Sequence, residues 1–280
     1  YLAIGYILCI VVYSLFIKIY DFKFGLFFAF LVICTRLLEG YGASIIKLLK
    51  HVSMNDAEPF AITIFFIALY IFIYIYENNN KNNYLLNFIF GVLLFITITL
   101  RPNYLPTVFL LALIHIYFLY FAYKFKDILF SLLGLSLISC IPLHNLYFGK
   151  EFILLTSGHV HATSVPLGVY FNAFIDLINL NFSNSQNINK VIFQFNRWIK
   201  PEEFHYLLIF FLLFLVFKYQ DIYFKIISSL ALSQHAVLLI FMPSGRYSYL
   251  AWFLSVMIFL YFIQKATKFI VSKSIVMRKY

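Results

Sequence analysis

The residues best suited to chemistry begin with two carboxylates, Asp56 and Glu58, which lie just before Pro59. Acidic residues and proline are both favoured in the first turn of a helix, so one interpretation is a helix start stabilised by the helix dipole. A carboxylate in this position can also activate a hydroxyl group, hold a divalent cation or pair with a basic group. The two interpretations are compatible, and both place the carboxylates where an apolar helix begins.

Two arginines also stand at the ends of apolar segments. Arg101 ends one of them and is followed by Pro102, and Arg246 precedes Tyr247 at the start of the last one. A guanidinium group can bind two phosphate oxygens at once, although an arginine at a helix end can also simply extend its charge towards water. We expect Arg101, Arg246 and Tyr247 to contact a phosphate group.

Polar pairs containing histidine supply further candidates. His159 and His161 would lie on one side of an extended strand, but their spacing offers no third metal ligand, so no metal site is predicted. His144 and Asn145 follow an apolar segment and are expected to face a cavity. No cofactor is predicted, although the carboxylates leave room for a divalent cation.

The composition predicts the elements that position these residues. Of the 280 residues, 63% are hydrophobic and 11% are charged, whereas soluble domains are about 25% charged. Long continuous apolar runs predict an all-α, polytopic transmembrane bundle rather than a β-barrel. We expect one transmembrane domain over residues 1–280. The predicted spans, about nine in number, are Tyr1–Ile17, Phe24–Leu38, Phe60–Tyr76, Tyr84–Leu100, Leu105–Tyr123, Ile128–Leu146, Tyr206–Phe217, Ile222–Met242 and Tyr249–Ile263.

Two histidines fall inside these spans. His115 and His235 are expected to form hydrogen bonds between helices rather than to catalyse a reaction.

The connections between spans predict an orientation. Short connections and the tail from Lys265 carry most of the lysines and arginines, which places them on the cytoplasmic side. Alternation then puts Asp56, Glu58, Arg101 and Arg246 on the outer side. The net charge of +10 is spread over these connections, so it indicates contact with anionic membrane lipids and not nucleic-acid binding.

Residues 149–205 form the longest segment between two predicted spans and are predicted to be an outer loop. It is expected to contain interfacial helices rather than a folded domain. The apolar patch that suggests this comprises Phe171, Phe174, Ile175, Leu177, Ile178 and Leu180.

Several short motifs, taken in order, resemble those of the integral-membrane GT-C glycosyltransferases. The likeness is strongest to the bacterial branch that is similar to protein O-mannosyltransferases and the aminoarabinose transferase of lipid A. It covers nearly the whole chain and rests on the order and spacing of the motifs. These are Asp56-Ala57-Glu58-Pro59-Phe60, Gly91-Val92-Leu93, Thr99-Leu100-Arg101-Pro102, His144-Asn145-Leu146-Tyr147-Phe148-Gly149 and Gly245-Arg246-Tyr247.

This resemblance implies a transferase that takes a sugar from a polyisoprenyl-phosphate donor and inverts its anomeric centre. The acceptor would be a glycan, a lipid or a protein on the outer face of a bacterial inner membrane, with the carboxyl terminus of the enzyme in the cytoplasm. Arg101 and Arg246 match arginines that the family places near the donor.

The family's main catalytic carboxylate lies in a large loop after its first transmembrane helix. This sequence begins at Tyr1 inside an apolar segment and lacks that loop, so we expect it to be partial at its amino end. Asp56 and Glu58 match the acidic position of the next outer loop, for which the resemblance implies a supporting role only.

Two other functions stay open at this point. A transporter or flippase of lipid-linked saccharides would more often show inverted repeats and helices interrupted near mid-membrane, which this sequence does not clearly show. A polysaccharide polymerase would also use outer-face arginines and a long outer loop. An acidic outer loop upstream of Tyr1 would favour the transferase.

Overall fold

The computed structural model describes residues 57–78, 82–150, 165, 167–181, 185–199, 203–237 and 245–277. Within these ranges the chain is helical and contains no strand, as expected for the all-α class. The α-helices are α1 (Glu58–Glu77), α2 (Tyr84–Leu100), α3 (Leu105–Phe121), α4 (Phe125–Leu135), α5 (Cys140–Gly149), α6 (Leu167–Ile178), α7 (Gln186–Ile199), α8 (Glu203–Lys218), α9 (Ile222–Val237) and α10 (Gly245–Met277). Two 3-10 helices, Pro102–Tyr104 and Ser136–Ser139, join α2 to α3 and α4 to α5.

Helix α1 begins two residues before and ends one residue after the predicted span Phe60–Tyr76. Glu58 and Pro59 occupy its first turn, but no side chain caps it, because the N-cap position is held by Ala57. At the other end the side chain and the backbone N–H of Asn78 both donate to the carbonyl of Tyr74. Proline thus starts the helix and an asparagine satisfies one of its last carbonyls.

The turn between α2 and α3 follows from one proline. Arg101 is extended, with φ −143° and ψ 92°, because a residue before proline is disfavoured in the helical region. Helix α2 therefore stops at Leu100, and the 3-10 helix Pro102–Tyr104 leads directly into α3. The contact of Arg101 with Glu58 places this turn at the end of the bundle where α1 begins.

The apolar helices are those of an integral membrane protein. In the part of the chain that the structure describes, four helical stretches are long and apolar enough to cross a bilayer: Glu58–Glu77, Pro102–Phe121, Phe125–Gly149 and Leu250–Ile270. Helix α2 has 17 residues and is a shorter apolar helix. The first two predicted spans, Tyr1–Ile17 and Phe24–Leu38, lie outside the described residues, so a total of nine spans stays a prediction.

Helix α10 extends beyond the last predicted span, Tyr249–Ile263. Helix α10 runs from Gly245 to Met277, whereas the sequence analysis ended the span at Ile263 and treated the residues from Lys265 as a tail. The residues that follow Ile263 include glutamine, alanine and lysines but no glycine or proline, so their helix propensity lets the helix continue after the apolar pattern has ended. The hydroxyl of Thr267 also donates to the carbonyl of Ile263 at 3.0 Å.

Most residues of α1 are buried. Helix α2 packs against α1 and α4, and α9 packs against α3, α8 and α10. The core is largely aromatic and branched, with Phe65, Phe66, Phe72 and Phe90 each at most 2% exposed. We call the end that contains Glu58, Leu100 and Leu105 the Glu58 end, and the opposite end, where Glu77 closes α1, the Glu77 end.

Helices α6 and α7 pack against each other and expose apolar side chains. The predicted patch is exposed and helical except for Leu180, which lies in the turn after α6, and several apolar residues of α7 are exposed as well. The exposed side chains are Phe171, Phe174, Ile175, Leu177, Ile178, Leu180, Ile192, Phe193 and Phe195. The hydroxyl of Ser185 and the amide of Asn187 hold the pair together by donating to Asp176 Oδ2 at 2.5 Å and 3.1 Å.

Candidate functional site

The structure joins two of the predicted site residues, Glu58 and Arg101. The Nε of Arg101 lies 2.8 Å from Oε2 of Glu58, and the carboxylate is fully buried. The hydroxyl of Tyr104 donates to the other carboxylate oxygen, Oε1. The first residue of α1 is therefore bound by two side chains from the turn between α2 and α3.

Because this ion pair is buried, removal of either partner should destabilise the folded protein. A charge placed in an apolar interior loses its hydration, and the loss is compensated only while its partner stays in place. The side chain of Arg101 nevertheless keeps 14% of its surface exposed. Arg101 is therefore turned inward to Glu58 instead of extending into water, and it still reaches the surface at the Glu58 end.

A second set of polar side chains lies behind the ion pair. Gln234 of α9 accepts a hydrogen bond from the hydroxyl of Thr107 at 2.7 Å and donates to the main-chain carbonyl of Asn103 at 3.4 Å. All three residues are buried. Helix α9 thereby fixes the turn that carries Arg101 and Tyr104. This contact was not predictable, because Gln234 comes from a helix distant in sequence.

His235 follows Gln234 and bonds to a different helix. Its Nε2 lies 3.0 Å from the hydroxyl of Ser255 in α10, which itself donates to the carbonyl of Ala251 at 2.7 Å. The hydroxyl proton is committed to Ala251, so His235 is the donor. The prediction that His235 forms an interhelical hydrogen bond is confirmed.

The remaining site predictions are placed only in part. Asp56, His159 and His161 lie outside the described residues. Arg246 and Tyr247 are in the first turn of α10, and their side chains are not among those described. Their proposed contact with a phosphate stays a prediction.

His144 and Asn145 lie in the middle of α5. The side chain of His144 is exposed and that of Asn145 is half-buried. The ring of His144 lies 4.7 Å from the ring of Phe148, one turn further along the same helix. The exposed position of His144 adds nothing to the Glu58–Arg101 pair.

A second buried polar network lies nearer the Glu77 end. The sequence analysis identified only one of its residues, His115. Asp127 Oδ1 accepts from the side chain of Asn87 at 2.7 Å and from the backbone N–H of Asn83 at 3.2 Å. The oxygen of the Asn87 side chain lies 2.7 Å from Nε2 of His115, which also lies 3.1 Å from the hydroxyl of Ser131. His115 thus forms hydrogen bonds between helices, as predicted. The rest of the network could have been suspected from the single polar residues that interrupt the neighbouring apolar helices.

Helices α2 and α4 meet closely beside this network. A Cβ atom on Gly91 would lie 2.2 Å from the carbonyl oxygen of Ser131 and 2.7 Å from the backbone N of Leu135. A Cβ atom on Gly134 would lie 2.3 Å from the carbonyl oxygen of Phe88. Only glycine fits at both positions, as is common where transmembrane helices cross in close contact.

A third polar cluster lies at the Glu77 end. Asp221 precedes α9, accepts from the backbone N–H of Tyr223 at 3.0 Å and from the hydroxyl of Tyr261 at 2.9 Å, and lies 3.3 Å from Nζ of Lys265. The hydroxyl of Tyr223 donates to Glu77 at 2.9 Å. This cluster joins α1, α9 and α10 and includes a cation, Lys265, whose side chain is 43% exposed.

Among the described residues no group of three or more histidine, cysteine, aspartate and glutamate side chains is arranged to hold a metal ion. No protein-family model matches the sequence, and comparisons with curated proteins and with solved structures find no match either. The function therefore has to be inferred from the residues and their geometry.

Proposed function

We propose that this chain is a membrane glycosyltransferase that moves a sugar from a polyisoprenyl-phosphate donor to an acceptor on the outer face of a bacterial inner membrane. The observation that carries the proposal is the meeting of Glu58, Arg101 and Tyr104 at one end of the bundle. The order of the sequence motifs, which resembles that of GT-C enzymes, supplies the reaction class.

In this proposal Arg101 binds the phosphate of the donor. Glu58 holds the guanidinium in one orientation, and the exposed part of the arginine faces the arriving headgroup. The acceptor hydroxyl attacks the anomeric carbon and gives its proton to a carboxylate, while the bond between that carbon and the phosphate oxygen breaks. The departing polyisoprenyl phosphate gains negative charge, which a positioned guanidinium stabilises.

The membrane placement follows from the distribution of lysines and arginines. The Glu58 end would face outwards and the carboxyl terminus would lie in the cytoplasm. The apolar surface of α6 and α7 would then rest in the outer interface as part of the loop over residues 149–205. Asp56, Arg246 and Tyr247 would join the site at the same end, with Asn145, His159 and His161 as further candidates.

Transfer can be measured with the protein in liposomes that contain polyisoprenyl phosphate linked to radiolabelled hexoses or pentoses. We expect wild-type protein to release polyisoprenyl phosphate when an acceptor is present, and Arg101→Ala to abolish this while the protein still inserts into membranes. Lys265→Ala is the matched control, because it removes an ion-paired cation at the Glu77 end. Movement of the intact saccharide across the bilayer without transfer would instead identify a transporter, and chain elongation a polymerase.

A charge exchange separates phosphate binding from structural pairing. The double variant Glu58→Arg/Arg101→Glu keeps two opposite charges together but moves the guanidinium to α1 and places a carboxylate where the phosphate would bind. We expect it to be more stable than either single variant and still inactive. Recovery of transfer in the double variant would show that the pair is needed only for folding.

A further inference from the structure

The turn between α2 and α3 contains a buried side-chain donor that the ion pair does not use. Asn103 is 5% exposed, and its amide nitrogen Nδ2 is buried without a hydrogen-bond partner. A buried N–H group that lacks an acceptor is unfavourable, since it has lost its water and gained nothing in return. Such a group marks a packing defect, a site for an ordered water or a donor for a ligand.

The surrounding contacts prevent the turn from moving to satisfy this donor. Pro102 fixes the start of the 3-10 helix, and the hydroxyl of Tyr104 is bound to Glu58. The main-chain carbonyl of Asn103 is held by Gln234, which is also bound by Thr107. Arg101 and Tyr104 are thus anchored to α1, and the backbone of Asn103 is anchored to α9, so the backbone that carries the amide is fixed two residues after Arg101.

We propose that the side-chain amide of Asn103 is a ligand-binding donor that takes a phosphate oxygen of the lipid-linked donor, next to Arg101. This inference rests on the proposed function, since it assigns a second phosphate-binding residue to the same site. A neutral N–H beside a guanidinium adds a directional contact to a charged one, and hydrogen bonds to charged oxygens are stronger than those between neutral groups. The amide binds the phosphate and takes no part in proton transfer.

The same chemistry would accept a phosphate from three sources: polyisoprenyl phosphate, a phospholipid headgroup and the free ion. Thermal unfolding of the detergent-solubilised protein distinguishes them if polyisoprenyl phosphate without sugar, phosphatidic acid and inorganic phosphate are titrated separately. A ligand that binds only the folded protein raises its melting temperature, so the concentration dependence yields an apparent Kd.

Asn103→Leu removes the donor and keeps a side chain of similar size. We expect the melting temperature of the unliganded variant to equal or exceed that of wild type, because the lost donor had no partner. We expect the apparent Kd of the phosphate ligand to rise about tenfold or more, as for the loss of a hydrogen bond to a charged group. Asn103→Asp should weaken binding further by repulsion.

Asn78→Leu is the control, because it removes an exposed amide at the Glu77 end and should leave the apparent Kd unchanged. Unchanged phosphate binding in Asn103→Leu would overturn the inference, as would a lower melting temperature with unchanged binding. Failure of all three phosphates to stabilise wild type would also overturn it. If Asn103→Leu weakens phosphate binding but the wild-type protein transfers no sugar, only the proposed function is rejected. If the wild-type protein transfers sugar but Asn103→Leu binds phosphate as tightly as wild type, only the role of Asn103 is rejected.

Discussion

Two buried carboxylates in this bundle have different kinds of partners. Glu58, at one end, is paired with the positive charge of Arg101 and receives a hydrogen bond from Tyr104. Asp127, nearer the other end, is bound by the neutral N–H groups of Asn83 and Asn87. The same chemical group is thus held by a formal charge in one region and by amides in the other.

The surroundings of the two carboxylates differ as well. Asp127 lies beside the close crossing of α2 and α4, and the imidazole of its network, His115, is packed 4.3 Å from the ring of Phe90. The adjoining cavity measures only about 10 Å³, too small for a ligand. Glu58 instead neighbours an arginine that reaches the surface and a turn that presents an unused donor, Asn103. The first region is suited to hold helices together and the second to bind a ligand.

The largest expected effect is the loss of stability when the Glu58 carboxylate loses its counter-charge. Arg101→Met should destabilise the protein by about 3–5 kcal/mol, because it leaves the buried carboxylate of Glu58 without its counter-charge. The double variant Glu58→Gln/Arg101→Met should recover most of this loss, which a double-mutant cycle measured by unfolding in denaturing detergent would show.

Lys265→Met provides the reference for this experiment. It removes a cation from a pair that is partly exposed, so we expect a cost below about 1 kcal/mol. A cost for Arg101→Met that is no larger than this would mean that the Glu58 pair is not held in an apolar interior.

The next prediction concerns the stability of the Asp127 region, which we expect to depend on the close contact between α2 and α4. Gly91→Ala would place a methyl group 2.2 Å from the carbonyl oxygen of Ser131, which forces α2 and α4 apart. We expect a loss of about 2–3 kcal/mol, near the upper part of the range for overpacking. Gly168→Ala is the control, since a Cβ atom there meets nothing within 4 Å; it should be neutral or slightly stabilising. Equal stability of the two variants would show that α2 and α4 can separate without cost.

The sequence predicts these regions to different extents. Apolar length and the alternation of spans placed Glu58 and Arg101 at one end, because Pro59 and Pro102 mark helix boundaries within the chain itself. Neither the contact of Tyr104 nor that of Gln234 was predictable, since each depends on which helices become neighbours. Asp127 was treated as part of a short connection, and only its contacts with α2 show that it is buried.

A matched substitution then compares the two carboxylates directly. Asp127→Asn keeps an oxygen that can accept from Asn83 and Asn87, so only the extra strength of a charged acceptor is lost, about 1 kcal/mol. Glu58→Gln leaves the guanidinium of Arg101 without a counter-charge and should cost about 3 kcal/mol or more. Unfolding of both variants under identical conditions provides the comparison. Similar costs would remove the distinction between the two regions.

The smallest effect concerns a third carboxylate, Asp176, which is hydrogen-bonded but not deeply buried. Hydrogen bonds from Ser185 and then Asn187 lower the pKa of Asp176 below its ordinary value of 3.8. A lowered pKa in the folded state means that the charged form stabilises the α6–α7 pair above pH 3.8 and that this contribution is lost as the pH falls through the lowered pKa. The difference in melting temperature between wild type and Asp176→Asn should therefore be constant near neutral pH and shrink in acid. A difference that grows in acid would mean that the hydrogen bonds from Ser185 and Asn187 favour the protonated form of Asp176, and hydrogen bonding would then not be what lowers its pKa.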